Sequence, residues 1–104
     1  MVVDHELDEL KREFLDEARE KVVEMQSALD HAEDRTSLER LAYLAHQLKG
    51  SGGSYGYQRI SDDAADLERA VESITGGATL QEEKMQQFVL NLRSEIDRAS
   101  KELR

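Results

Sequence analysis

His46 and Lys49 stand three residues apart in the stretch AHQLKGSGGSYGY, positions 45–57, and four glycines crowd the seven positions from Gly50 to Gly56. A neutral imidazole nitrogen is a nucleophile, and an ammonium group one helical turn away can offset negative charge that arrives with an electrophile. A phosphoryl group fits that pairing. Its charge is spread over three oxygens, and its transfer needs positioning and charge stabilisation more than covalent help from the protein. Glycines inside a helix cost about 1 kcal/mol each relative to alanine, so three of them cost about 3 kcal/mol together. Access to the imidazole is a physical reason for that cost.

The helical spacing makes the argument concrete. If the helix carrying His46 continues through Gly50 to about Ser54, residues advance by about 100° each. Leu38, Leu41, Leu44, Ala45 and Leu48 then share the core face, and His46 lies about 140° from Leu41, toward solvent. Ala42 falls one turn before it, Gly50 one turn after and Gly53 two turns on. The imidazole therefore stands on ground cleared of side chains, with Lys49 on its core-side flank, and a partner's active site can reach the ring. Gly52 points inward, where it lets a neighbouring helix come close.

Other uses of these residues fit less well. The order G-x-x-x-x-G-K-[ST] of a phosphate-cradling nucleotide loop is absent, because the lysine here precedes the glycines. His5 and His31 belong to the first and last turns of the first helix, far from His46, and no H-E-x-x-H spacing occurs. No metal site and no cofactor are expected.

Four amphipathic helices must hold this site. The first carries Leu7, Leu10, Phe14, Ala18, Val22, Met25 and Leu29 three or four residues apart and is expected over about Asp4 to Ala32. EDRTS then breaks the pattern. The second opens on Thr36 and Glu39 in capping-box spacing. The third has the cleanest stripe, Ile60, Ala64, Leu67, Val71 and Ile74, and stops at Gly76 and Gly77. Thr79 and Glu82 form a second capping box before a fourth helix with Met85, Phe88, Leu92, Ile96, Ala99 and Leu103 inward. Short connections between amphipathic helices give an all-α, antiparallel up-down four-helix bundle. An extended coiled coil is the alternative, and the recurrent caps and stops argue against it.

Composition agrees. The 104 residues suit a single domain spanning 1–104, with no proline to interrupt a helix and no cysteine for a disulfide or thiolate site. A formal net charge of −9 argues against nucleic acid. No apolar run approaches the roughly 20 residues that span a bilayer, and MVVDHELDEL lacks the basic and apolar regions of a signal peptide. A cytoplasmic monomer with no membrane partner is the expectation.

The stretch around His46 resembles the signature of histidine phosphotransfer (HPt) domains: histidine, any residue, leucine, lysine, glycine, then serine or alanine. His46, Leu48, Lys49, Gly50 and Ser51 match in order. Gly56-Tyr57 stands where chemotaxis-type kinases, the most similar in pattern, often have Gly-Phe. The resemblance covers essentially the whole chain, given the four-helix plan. It implies a relay without a nucleotide site: a kinase, a hybrid kinase or a response-regulator receiver domain supplies the phosphate, and the receiver carries the Mg²⁺. It makes His46 the phosphoacceptor, Lys49 the charge partner and Gly50 the clearance for the receiver. It also points to Glu68. An acceptor must hold the unreactive ring nitrogen as N–H, and a third helix running back from a turn near Gly56 brings Glu68 level with His46, where a glutamate of chemotaxis-type relatives does this job. Gly52 and Gly53 depart from the alanines common in the family, so the end of the second helix is expected to be less secure. The rival reading is a non-phosphorylated helical adaptor docking on a kinase or receiver, which would have no need of the nucleophile.

Overall fold

Buried apolar residues recur three and four apart in every helix of the computed structural model, which describes residues 4–79 and 81–103. The elements are α1 (Asp4–Leu29), α2 (Arg35–Ser54), α3 (Gln58–Thr75) and α4 (Glu82–Glu102). Each helix packs on its neighbours in sequence, α4 closes on α1, and the most extensive contact is between α2 and α3. Helices joined by turns this short run antiparallel, so the molecule is an up-down four-helix bundle, 48 × 21 × 19 Å.

One core runs the length of the bundle. Leu15, Met25, Leu41, Leu48, Leu67 and Leu92 are among its fully buried side chains, and no polar or charged residue among those described is buried with them. The stripe of α3 is as the spacing predicts through Val71, with Ile74 half-buried. In α4 the buried residue is Val89, while Phe88 packs half-buried at the flank. The alternating spacing from Met85 through Leu92 and Ile96 passes through Val89, one position round the helix from the larger ring.

The first helix departs from expectation at both ends. Leu7 and Leu10, expected inward, are exposed. The Arg12 guanidinium donates to the Leu103 carbonyl at 2.6 Å, so the end of α4 is level with Arg12. Phe14, stacked on Tyr55 at 4.9 Å and on Tyr57 at 5.8 Å between ring centroids, closes the core at that end. The first turns of α1 overhang it. At the other end α1 stops at Leu29, and Ala32 is buried in the turn that follows.

Neither expected capping box forms. Asp34 caps α2, in extended conformation at φ −90° and ψ 124°, with its carboxylate accepting from the Thr36 N–H at 3.1 Å. An aspartate caps as well as a threonine, and here it precedes one. Glu39 instead accepts from Arg35 at 3.3 Å. The α4 helix starts at Glu82, with Gln81 at the N-cap position making no side-chain cap, and its first turn carries Glu82 and Glu83, which suit the positive end of the helix dipole.

Candidate functional site

The glycine run does not end α2 at Gly50. The helix continues one turn further and stops at Ser54, where the Tyr57 N–H donates to the Gly52 carbonyl at 2.8 Å and the Gly56 N–H to the Gly53 carbonyl at 3.1 Å. This bond pair needs a left-handed residue just beyond the helix, and Gly56 supplies it at φ +84°. The chain reverses there, and α3 begins at Gln58. The end of α2 expected to be insecure is thus a closed stop.

Two of the glycines serve different neighbours. A Cβ on Gly52 would lie 3.1 Å from the Ser61 backbone nitrogen and 3.3 Å from Ile60 Cγ2, whereas one on Gly50 would meet nothing within 4 Å. Gly52 lets the backbones of α2 and α3 approach, and the Ser61 hydroxyl, donating to the Lys49 carbonyl at 2.8 Å, ties the same contact. The difference is measurable. Gly50→Ala should raise stability by up to about 1 kcal/mol, the helix-propensity gain. Gly52→Ala should lower it, because overpacking against a backbone atom costs about 1–3 kcal/mol and outweighs that gain. Thermal melting of the two variants checks the sign of each.

From the Gly52–Ser61 contact, the antiparallel register carries His46 and Glu68 to one level, six and seven residues along their helices. Glu68 Oε2 lies 2.8 Å from His46 Nδ1, and Glu68 Oε1 lies 2.9 Å from Lys49 Nζ. The histidine side chain is 66% exposed, and the glutamate 13%. One carboxylate therefore bridges the imidazole and the ammonium. A ring nitrogen at that distance from a carboxylate is the one that carries the proton. In the neutral ring the lone pair then belongs to Nε2.

The electrostatics follow from the bridge. The Lys49 ammonium first, and the His46 ring second, hold the Glu68 carboxyl below its ordinary value, against the opposing effect of its burial. Glu68 should therefore stay ionised to a lower pH than an ordinary glutamate. A group whose pKa is depressed by folding adds stability that is present above its unfolded value and lost as pH falls through its folded one. Carbon-13 NMR titration of the Glu68 carboxyl measures this. Lys49→Met should raise that pKa more than His46→Gln does, and the reverse order would contradict the assignment of causes.

The structure thus brings together His46, Lys49 and Glu68, with Gly50 open beside them. His31 stands exposed in the turn after α1, in no contact with the site. His5 lies in the first turn of α1, and its side chain falls outside the described residues. Among the described residues no group of three or more histidine, aspartate or glutamate side chains could hold a metal ion, and no helix is long and apolar enough to cross a membrane. The Lys49–Glu68 pair and the Ser61 hydroxyl were not foreseen from the sequence. Ser61 had one available signal, its place one residue after Ile60 at the start of the third stripe.

The four-helix fold and the comparison with known families agree. The model of the Hpt domain matches residues 9–102. The chain belongs to the Hpt domain family. Hpt domains are phosphocarrier modules that act in histidine phosphotransfer within phosphorelays, interacting with kinases and receiver domains. No curated protein and no solved structure gave a match, so membership rests on the family model.

Proposed function

We propose that His46 is the phosphoacceptor of this chain and that it exchanges a phosphoryl group with the aspartate of a receiver domain. The observation that carries the reading is the Glu68 carboxylate at 2.8 Å from Nδ1 of a ring that is otherwise largely in solvent. It orients the ring, assigns the proton to Nδ1 and makes Nε2 the nucleophile. In the transfer, the Nε2 lone pair forms the new N–P bond and the P–O bond to the partner's aspartate breaks, returning that aspartate as a carboxylate. The ring then bears a substituent on both nitrogens and a formal positive charge, which the Glu68 carboxylate offsets. Lys49, held at the other oxygen of Glu68 and still half exposed, sits where it can offset charge on the arriving phosphoryl oxygens.

On this reading the chain carries the group and has no nucleotide site of its own. The phosphate comes from a kinase or from a phosphorylated receiver. Incubation with a phosphorylated receiver domain tests the proposal. The expected product is a label on this chain that is lost in acid and kept in base, as an N–P bond requires. A base-labile, acid-stable label, or no transfer from any phosphodonor, would overturn it.

A further inference from the structure

Tyr43 stands one turn before His46 on the same side of α2 and is half exposed, yet its ring is held in place from several directions. The Arg40 guanidinium lies over it, 5.4 Å from the ring centroid. The Gln47 amide donates to its hydroxyl at 2.9 Å. Arg40 is in turn anchored to α1, where the Glu24 carboxylate accepts from its Nε at 2.7 Å and from its Nη2 at 3.1 Å. A two-point fork fixes the plane of a guanidinium as well as its place. The exposed ring has therefore already lost the rotamer freedom that ordering at an interface otherwise removes.

The charged residues of α2 itself are spoken for. Arg35 pairs with Glu39, Arg40 with Glu24 and Lys49 with Glu68. Near His46, α2 offers an aromatic ring, an amide and the bare Gly50, a surface suited to apolar contact. Tyr43 and Gly50 are seven residues apart, which places them about 20° from one another around the helix. His46 lies between them along the axis. A partner that reaches Nε2 over the clearance at Gly50 also covers the ring.

We propose that Tyr43 is the docking residue on which the receiver domain packs when it presents its aspartyl phosphate to His46, and that it helps to set which receivers are accepted. The inference rests on His46 being the acceptor. Aromatic side chains at the centre of an interface carry a large share of its binding energy, so the ring should act on affinity for the receiver and leave the chemical step alone.

The test separates this claim from the one beneath it. Wild type, Tyr43→Ala and Tyr43→Phe are each loaded from phosphoramidate, a donor too small to need a docking surface. Each is then discharged onto a receiver domain chosen because it unloads the wild-type phosphoprotein, over a range of receiver concentrations. Tyr43→Ala should raise the half-saturating receiver concentration about tenfold, with its limiting rate and its loading from phosphoramidate within about twofold of wild type. Tyr43→Phe keeps the ring under Arg40 and should restore the wild-type half-saturating concentration. An unchanged value in Tyr43→Ala, a loss confined to the limiting rate, or a Tyr43→Phe as poor as alanine would each overturn the proposal. A wild-type chain that takes no phosphate from phosphoramidate or from any receiver would overturn the acceptor reading, and this one with it.

Discussion

His46→Gln is expected to abolish phosphoryl labelling of the chain while leaving its helical circular dichroism unchanged. Glutamine has no nucleophilic nitrogen, so no N–P bond can form at position 46. The fold has little stake in the ring, which is 66% exposed and lies outside the core. Among the described residues its one polar partner is a carboxylate that keeps Lys49 as a partner, so stability should change by less than about 1 kcal/mol, the range of exposed charged pairs. Label that persists in this variant, or that moves to His5 or His31, would remove His46 from the acceptor role.

The second large effect is expected at Gly50, and it concerns reach. Among the described residues, nothing beyond the adjoining turns of α2 lies within 4 Å of a Cβ placed there, so Gly50→Gln should fold at least as well as wild type. The new side chain would stand one turn from His46, on the ground that the proposed transfer requires a receiver to occupy. A misplacement of about 1 Å in a reacting pair can cost about 100-fold in rate, so transfer between this variant and a receiver should fall by at least about that much. Loading from phosphoramidate should fall far less, because a small donor can pass the glutamine. Equal loss with both donors would mean that the substitution disturbs His46 itself. No loss with either would leave the open space at Gly50 without a function.

The main lines of this site were legible in the sequence for a definite reason: helical spacing carries direction. Counting from Leu41 places His46 off the core face. Counting back from a turn near Gly56 brings Glu68 to its level, which is where the two are found, 2.8 Å apart. Spacing says nothing about where a long flexible side chain comes to rest. The contact of Lys49 with the far oxygen of Glu68 was invisible for that reason, and so was the fork between Arg40 and Glu24 that needs the register of α1 against α2.

The misread residues share a cause as well. Leu7 and Leu10 lie in register with the apolar stripe of α1, but their burial depended on where α4 ends, and it ends level with Arg12. Thr36 and Glu39 have capping-box spacing, but Asp34 lies two residues earlier and takes the cap. Each depended on a second element or on a competing residue, which one stripe considered alone does not contain. Gly52 was the favourable case. Its inward direction was readable from the spacing, and α3 does approach it closely.

The most direct test of the central claim is to locate the phosphorus on the ring. The chain, with its histidines labelled in nitrogen-15, is phosphorylated from a receiver domain, and the coupling between nitrogen and phosphorus is recorded by NMR. Glu68 engages Nδ1 at 2.8 Å, so the account predicts a single phosphorylated histidine, His46, with the coupling at Nε2. A coupling at Nδ1 of His46, or at either nitrogen of another histidine, would contradict it.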